Sequence, residues 1–446
     1  MATSSESGQA QAQGQTPDAA AKPDNDIPSD AAPEPAPFNQ ARLGIATVTI
    51  GLLVLVVFLA NMAYLFGSAF RQSQHNHVFT IAAVNYDTDD SLVWTAFVQA
   101  YGLLRSDSFA SFVFLPNSTY PSPDQLVSAV REQEYWGALY VAPGASSRLA
   151  AAVAGQTEAY NASQAAAYVW NEIRYPSVAA SVIRAGVLQL QAAAAKVFQA
   201  GATQRLLRSA ETPHAQTAVA SYLTPFSAAE INVSPAPQAE KAFYNTVVMA
   251  MGIIQQNVFL IAFTGVSRAS GLFGRPFKTS ATWALLVGLA YTLAGSLMTT
   301  GYIWAFREDW AVTGAQFATT WMVLWLGQHT YYQLLDGTLA LVPIQYFSFL
   351  LVTFVFLNVA AAVFPLEAGP GFYVWGRALP AYQVLQVLLN VWSRGSHRLY
   401  EALPVLFAWW VVSGSYAAVG TLKKSQVGRK GGAGGGGVQA PTIAAA

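Results

Sequence analysis

Three sets of side chains have types and spacings that could do chemistry. His75 and His77 stand two apart, with Asp87, Asp89 and Asp90 a short way downstream. Histidines two apart on a strand share a face, and imidazole with carboxylate is an ordinary ligand set for a divalent metal. The same residues serve equally well as polar groups beside an apolar helix, and that plainer role is the one expected here, with no bound metal. Gln255, Gln256 and Asn257 sit near the middle of a long apolar run, and Gln328 and His329 sit inside another. An unpaired amide in hydrocarbon costs several kcal/mol, roughly, so these five side chains should turn towards protein. They would form either a polar pathway for a solute or hydrogen-bonded glue between helices. Neighbouring helical residues point about 100° apart, so Gln255 and Asn257 should flank the direction taken by Gln256. That direction should meet the helix of Gln328 and His329, or the segment 372–392. Finally, Asn117, Asn161 and Asn232 each open an Asn-x-Ser/Thr sequon, the acceptor for N-glycans outside the cytosol.

No other constellation stands out. The string Gly274–Thr279 lacks the second glycine of a phosphate-binding loop, so nucleotide binding by that device is excluded. Nucleophile-elbow, zinc-protease and calcium-loop patterns are missing too. The chain has no cysteine, which removes disulfides, thiolate metal sites and cysteine nucleophiles together. The expectation is therefore not an enzyme, with no cofactor.

The elements that must hold these residues are apolar. The 446 residues are 53% hydrophobic and only 10% charged, with 23 basic against 23 acidic residues. Soluble domains carry about 25% charged residues. With no basic excess there is nothing to neutralise phosphates, so nucleic acid is not an expected partner. Six runs reach the roughly 20 apolar residues that cross a bilayer: Leu43–Phe66, Tyr244–Val266, Ala281–Ile303, Val312–Leu334, Ala340–Phe364 and Ala402–Leu422. None contains Lys, Arg, Asp or Glu, as spanning helices require. The first run is too long, and too far from the start, for a cleaved signal, so it is expected to stay as an anchor.

Basic residues cluster at Arg42, at Arg268, Arg275 and Lys278, and at Lys423, Lys424, Arg429 and Lys430. Six helices with both termini in the cytosol put all three clusters inside, as the positive-inside rule expects. Segment 67–243 then lies outside the cytosol, and it holds all three sequons. The expected fold is a polytopic α-helical membrane protein with six transmembrane helices (one, then five) and an extracytoplasmic α/β domain between the first two. Within that domain, strands are read at Val78–Asn85, Phe109–Leu115 and Tyr135–Val141. Helices are read at Ser91–Leu104, Pro123–Glu132 and Pro176–Ala210. Residues 1–42 and 423–446 read as disordered cytosolic tails. Segment 365–401 carries breakers and then Ala381–Val391, too short to span. It fits a re-entrant or interfacial helix with Tyr373, Trp375, Tyr382 and Trp392 at headgroup level, or a helix packed on the outer domain.

Several strings carry a family resemblance: VNYD (84–87), YWGALYVAPGAS (135–146), YNASQAAAYVWNEIRYPS (160–177), YNTV (244–247), LNV (357–359), PGFYVWGRALP (370–380) and VWSRG (391–395). With the one-plus-five arrangement, residues 43–422 resemble the fungal nitrosoguanidine-resistance membrane proteins, themselves similar to permease subunits of type 2 ABC exporters. The resemblance implies a plasma-membrane protein concerned with resistance to toxic amphipathic compounds or with lipid movement, and it brings no catalytic residues. Expected partners are membrane lipids, an amphipathic small molecule, and a partner ATPase or further copies of the chain. The alternative is a non-transporting scaffold or regulator of lipid organisation, with the outer domain as a binding module.

Overall fold

The structure, a computed structural model, describes residues 40–88, 91–209, 211–395 and 398–433. The tails expected before 40 and after 433, and Asp89 and Asp90, lie outside the described residues. Contacts divide the chain into Met1–Leu52 and Leu53–Ala446. Of the first unit, the described part is the beginning of α1 (Gln40–Ser68), whose side chains from Leu43 to Leu52 are exposed.

The second unit is mostly helical with one small sheet. Its strands are β1 (Thr80–Asn85), β2 (Ser111–Leu115), β3 (Gly137–Val141), β4 (Ala166–Trp170) and β5 (Ala229–Asn232), in spatial order β2-β1-β3-β4-β5. β1 pairs in parallel with β2 and β3, β3 is antiparallel to β4, and β4 is parallel to β5. Alternate residues face opposite layers, as the period of a strand dictates. Ile81, Ala83, Leu139, Val141 and Tyr168 face one core, and Ala82, Val84, Ala138 and Val169 face the other. The second core is closed by Leu126 and Val130 of α3 (Pro123–Arg131). The first is closed by α2 (Leu92–Leu104), α4 (Ala145–Val153) and a long rod. The rod joins α5 (Pro176–Val178), a π-helical stretch and α6 (Ala185–Ser209). Ile183, Val187, Leu190, Ala194 and Phe198 form its buried stripe at helical spacing. α7 (Ala215–Leu223) packs on α4 and α6.

Beyond the sheet the helices are α8 (Val247–Ala269), α9 (Phe277–Ala305), α10 (Gly314–Leu341), α11 (Ile344–Val363), α12 (Pro380–Ser393) and α13 (Leu399–Ala433). Six described helices are long and apolar enough to cross a membrane: Leu43–Ser68, Pro176–Ser209, Val247–Ala269, Phe277–Ala305, Ile344–Val363 and Leu399–Lys430. Five overlap runs read from the sequence, although Tyr244–Val266 and Ala340–Phe364 begin before their helices. Pro176–Ser209 joins them on composition but packs its stripe on the sheet. The run Val312–Leu334 falls in α10, which is not among the six. Its Gln, His, Thr and Tyr residues lower its hydropathy, and all but Thr319 and Thr338 are buried within the protein.

Other differences concern the ends of elements. α13 runs on helically through Ala433, so Lys423, Lys424, Arg429 and Lys430 lie on a helix rather than in a disordered tail. Thr421 and Ser425, buried on its inner face, continue the packing. α12 is almost wholly buried. Tyr382 and Trp392 are therefore interior residues, and of the four aromatics only Tyr373 and Trp375 reach the surface region, beside Tyr64. The apolar core runs unbroken from the sheet through Tyr244, Trp310 and α12 to Leu406 of α13.

Polar pairings fix this junction. Asn171 Nδ2 donates to Ser393 Oγ at 3.0 Å, and Gln386 Nε2 donates to Tyr175 Oη at 3.4 Å. On its other side, Trp392 Nε1 donates to Thr320 Oγ1 at 3.0 Å, and Gln316 Nε2 donates to the Val391 carbonyl at 2.9 Å. Arg174 is buried beside it, with its guanidinium 3.8 Å from the Trp136 ring centroid and donating to the Tyr135 carbonyl at 3.1 Å. Burial lowers its pKa to about 10, which leaves it charged at neutral pH.

α10 and α13 meet where Gly337 faces Gly420: a Cβ on Gly420 would lie 3.1 Å from the Gly337 Cα and 2.9 Å from the Ala340 Cβ. Gly420→Val should therefore cost about 1–3 kcal/mol through overpacking, read as a lower melting temperature of the full chain in detergent.

Asp87 ties the loop after β1 to the starts of two helices. Its Oδ2 accepts from the Ser146 amide at 2.9 Å and the Ser91 hydroxyl at 2.8 Å. Burial pushes this carboxyl up, but the bonds from Ser146 and Ser91 outweigh it and hold it below the usual carboxylate range. A carboxylate whose folded pKa is depressed stabilises the fold above its unfolded pKa, and that stabilisation is lost as pH falls through the lower, folded value. Asp87→Ala should make segment 67–243 more susceptible to protease at neutral pH. The gap between variant and wild type should close on acidification.

Candidate functional site

The polar residues read from the sequence converge on α10. Every residue from Gly327 to Gln333 is buried, so this stretch is enclosed on all sides although it reads Gly-Gln-His-Thr-Tyr-Tyr-Gln. Buried polar groups are stable only when paired, and two chains of hydrogen bonds pair most of these.

The first chain crosses three helices. Gln256 of α8 is fully buried and its Nε2 donates to Gln328 Oε1 at 3.3 Å. Gln328 Nε2 donates to Thr299 Oγ1 of α9 at 3.0 Å, and that hydroxyl donates to the Gly295 carbonyl at 3.0 Å. Gly295 makes room for the amides: a Cβ there would lie 2.7 Å from Gln255 Nε2 and 3.2 Å from Gln328 Oε1. Of the triplet, then, Gln256 meets α10, Gln255 turns towards α9, and Asn257 is half-buried. Gln256 Oε1 and Asn257 Oδ1 are buried acceptors with no protein partner. The segment 372–392 is not the partner of Gln256.

The second chain links α13, α10 and α9. Ser413 Oγ donates to Gln333 Oε1 at 2.9 Å, which leaves Gln333 Nε2 to donate to His329 Nε2 at 3.1 Å. His329 Nδ1 lies 3.3 Å from Thr292 Oγ1. The Thr292 hydroxyl already donates to the Gly288 carbonyl at 2.7 Å, so towards His329 it accepts. These bonds select one neutral tautomer, with the proton on Nδ1. Trp325 Nε1 donates to the same threonine oxygen at 3.2 Å. Gln333 and Ser413, absent from the sequence reading, complete the network. Their visible signal is that Gln333 stands one turn after His329 on the same face.

One turn further along α10, Asp336 Oδ1 meets Lys424 Nζ of α13 at 2.6 Å, with both side chains under a tenth exposed. Asp336 reads as a loop residue in the sequence and Lys424 as a tail residue. Only the extension of both helices brings them together.

The other candidates stay apart from this network. His75 and His77 lie in the 3₁₀ segment Gln72–Val78 rather than on a strand, with ring centroids 6.3 Å apart. They precede β1 while Asp87 follows it, so the strand separates the histidines from the carboxylate. No metal-binding cluster occurs among the described residues. Asn117 and Asn161 are exposed on the sheet lobe. Asn232 is half-buried, and its Nδ2 donates to Glu172 Oε2 at 2.7 Å.

Gln328→Leu should strand Gln256 Nε2, remove the donor to Thr299 and cost about 1–2 kcal/mol of stability, as for other buried hydrogen bonds. The measurement is thermal unfolding of the purified full chain. An unchanged melting temperature would show that the amide chain contributes nothing.

No match is found among curated proteins or solved structures. One family, described as proteins of unknown function (DUF3533), matches residues 50–415. Since that match spans most of the sequence, the chain belongs to the DUF3533 family.

Proposed function

We propose that this is a permease-like multi-pass membrane protein, of the nitrosoguanidine-resistance type, that moves or helps to move amphipathic compounds or lipids outward. α1, α8, α9, α10, α11 and α13 cross the membrane in this reading, and the rod Pro176–Ser209 belongs to an extracytoplasmic lobe. The observation that carries it is the buried polar path Gln256–Gln328–Thr299 beside Ser413–Gln333–His329–Thr292, with two buried acceptors left open. Polar groups at membrane depth are costly and are retained mostly where they line a pathway or pair across helices. With no nucleotide-binding loop, energy would come from a partner ATPase or an ion gradient. No enzymatic step is assigned.

A second reading rests on the close packing around the same groups. Gly252, Gly288 and Gly295 bring helices against Gln328, Tyr332 and Gln255, which suits a rigid, non-transporting scaffold for lipid organisation. Full-length protein in liposomes, assayed for flux of a fluorescent amphiphile with and without an ion gradient, separates the two. Gln256→Leu at equal surface expression should reduce flux and resistance if the amides line the path. Unchanged resistance favours the scaffold.

The topology is tested separately. With the lobe outside and both termini in the cytosol at the plasma membrane, enzymatic deglycosylation should increase gel mobility. Asn117 and Asn161 should account for the shift, because the Asn232 amide is held by Glu172 and Ser234 of its sequon is buried. The absence of any shift, with protease reaching 67–243 from the cytosolic side, would overturn the orientation.

A further inference from the structure

A cleft of about 920 Å³ opens where the C-terminal ends of α8 and α10, the start of α11 and the last turns of α13 come together. Its walls include Arg268, Lys423 and Lys424, with Ile261, Val342 and Ile344 between them. This end of the bundle also carries Arg275, Lys278, Arg429 and Lys430. Against these cations the same end offers one described acid, Asp336, and Lys424 already holds it at 2.6 Å. Arg268 is exposed and makes no ion pair among the described residues. Lys423 Nζ donates to the Leu341 carbonyl at 3.3 Å, which leaves further ammonium protons for a ligand.

Thr264 adds an independent observation. Thr292, Thr299, Thr300, Thr330 and Thr338 all return their hydroxyls to the carbonyl one turn back. Thr264 does not. It is only 6% exposed, its Oγ1 has no protein partner, and it lines the cleft. A buried hydroxyl with no partner is costly unless something in the cleft meets it.

We infer that this cleft holds the phosphate headgroup of an anionic phospholipid, with Arg268 and Lys423 as its charged contacts and Thr264 as a hydroxyl donor. The cleft is far larger than a free phosphate needs, and its rim continues into exposed Ile261 and Ile344, where acyl chains would lie. A zwitterionic headgroup would bring its own ammonium into a site whose acid is taken. The inference holds whether or not the bundle moves a solute, because it concerns a resident lipid and not the path through α10.

The test is native mass spectrometry of the full-length chain in detergent micelles doped with phosphatidylglycerol or phosphatidylcholine. The wild type should retain one phosphatidylglycerol at concentrations where phosphatidylcholine is lost. Arg268→Gln with Lys423→Gln should weaken retention by about tenfold or more, since each basic residue near an anionic surface is worth about 1 kcal/mol. Thr264→Val, nearly isosteric, should weaken it less but measurably. Arg275→Gln with Lys278→Gln, outside the cleft lining, should leave it unchanged. Equal retention of the two lipids would overturn the inference, and so would equal loss in both double variants. Displacement by millimolar inorganic phosphate would also overturn it, by making the site one for the free anion. Should the first double variant fold poorly, Thr264→Val and the comparison of the two lipids on the wild type still decide.

Discussion

Burying a polar helix among apolar ones is the constraint on which the helical region depends. α10 brings glutamines, a histidine and threonines to positions with no access to solvent, and they find partners on α8, α9, α12 and α13 or within α10 itself. That requirement sets how the neighbours are turned. α8 presents Gln256, α9 presents Thr292 and Thr299, and α13 presents Ser413, each at hydrogen-bond distance from the side chain it serves. The glycines at 295, 337 and 420 follow from the same demand, because partners on adjacent helices reach one another only if the backbones come close.

The sheet lobe obeys simpler rules. Its two cores follow from strand alternation and from amphipathic helices laid on each face. What is less ordinary is its attachment. Arg174 lies on the Trp136 ring, Trp136 meets Tyr175 at a tilt and Tyr175 meets α12, while α12 is held on its other side by Gln316 and Thr320 of α10. A charged guanidinium survives there because an aromatic face and backbone carbonyls replace its water.

Much of this is legible in the sequence, and the failures have physical causes. β1, β2 and β3 announce themselves by apolar runs stopped by turn residues. β4 does not, because two of its five residues are alanines of weak strand preference whose burial comes from strands on both sides. β5, Ala-Glu-Ile-Asn, has a single large apolar residue and is a strand because β4 offers it an edge. That Gln256 turns towards protein follows from desolvation, but the choice of Gln328 over segment 372–392 does not. The roles of Gln333, Ser413 and the Asp336–Lys424 pair do not, since they depend on which helices touch and on how far those helices extend. Hydropathy underrates α10 for the reason that makes it central: its side chains are solvated by other side chains rather than by lipid.

The burial of α12 bears on how the protein can be divided. Cutting out residues 67–243 would leave Asn171, Ile173, Tyr175 and Trp136 facing water where they now face α12 or one another, and would leave a buried arginine beside an open wall. The lobe has the secondary structure of an independent module but not a closed surface of its own. Portability in a protein depends on where the apolar surface ends, and here it ends inside the bundle, at Leu406, rather than at the last strand.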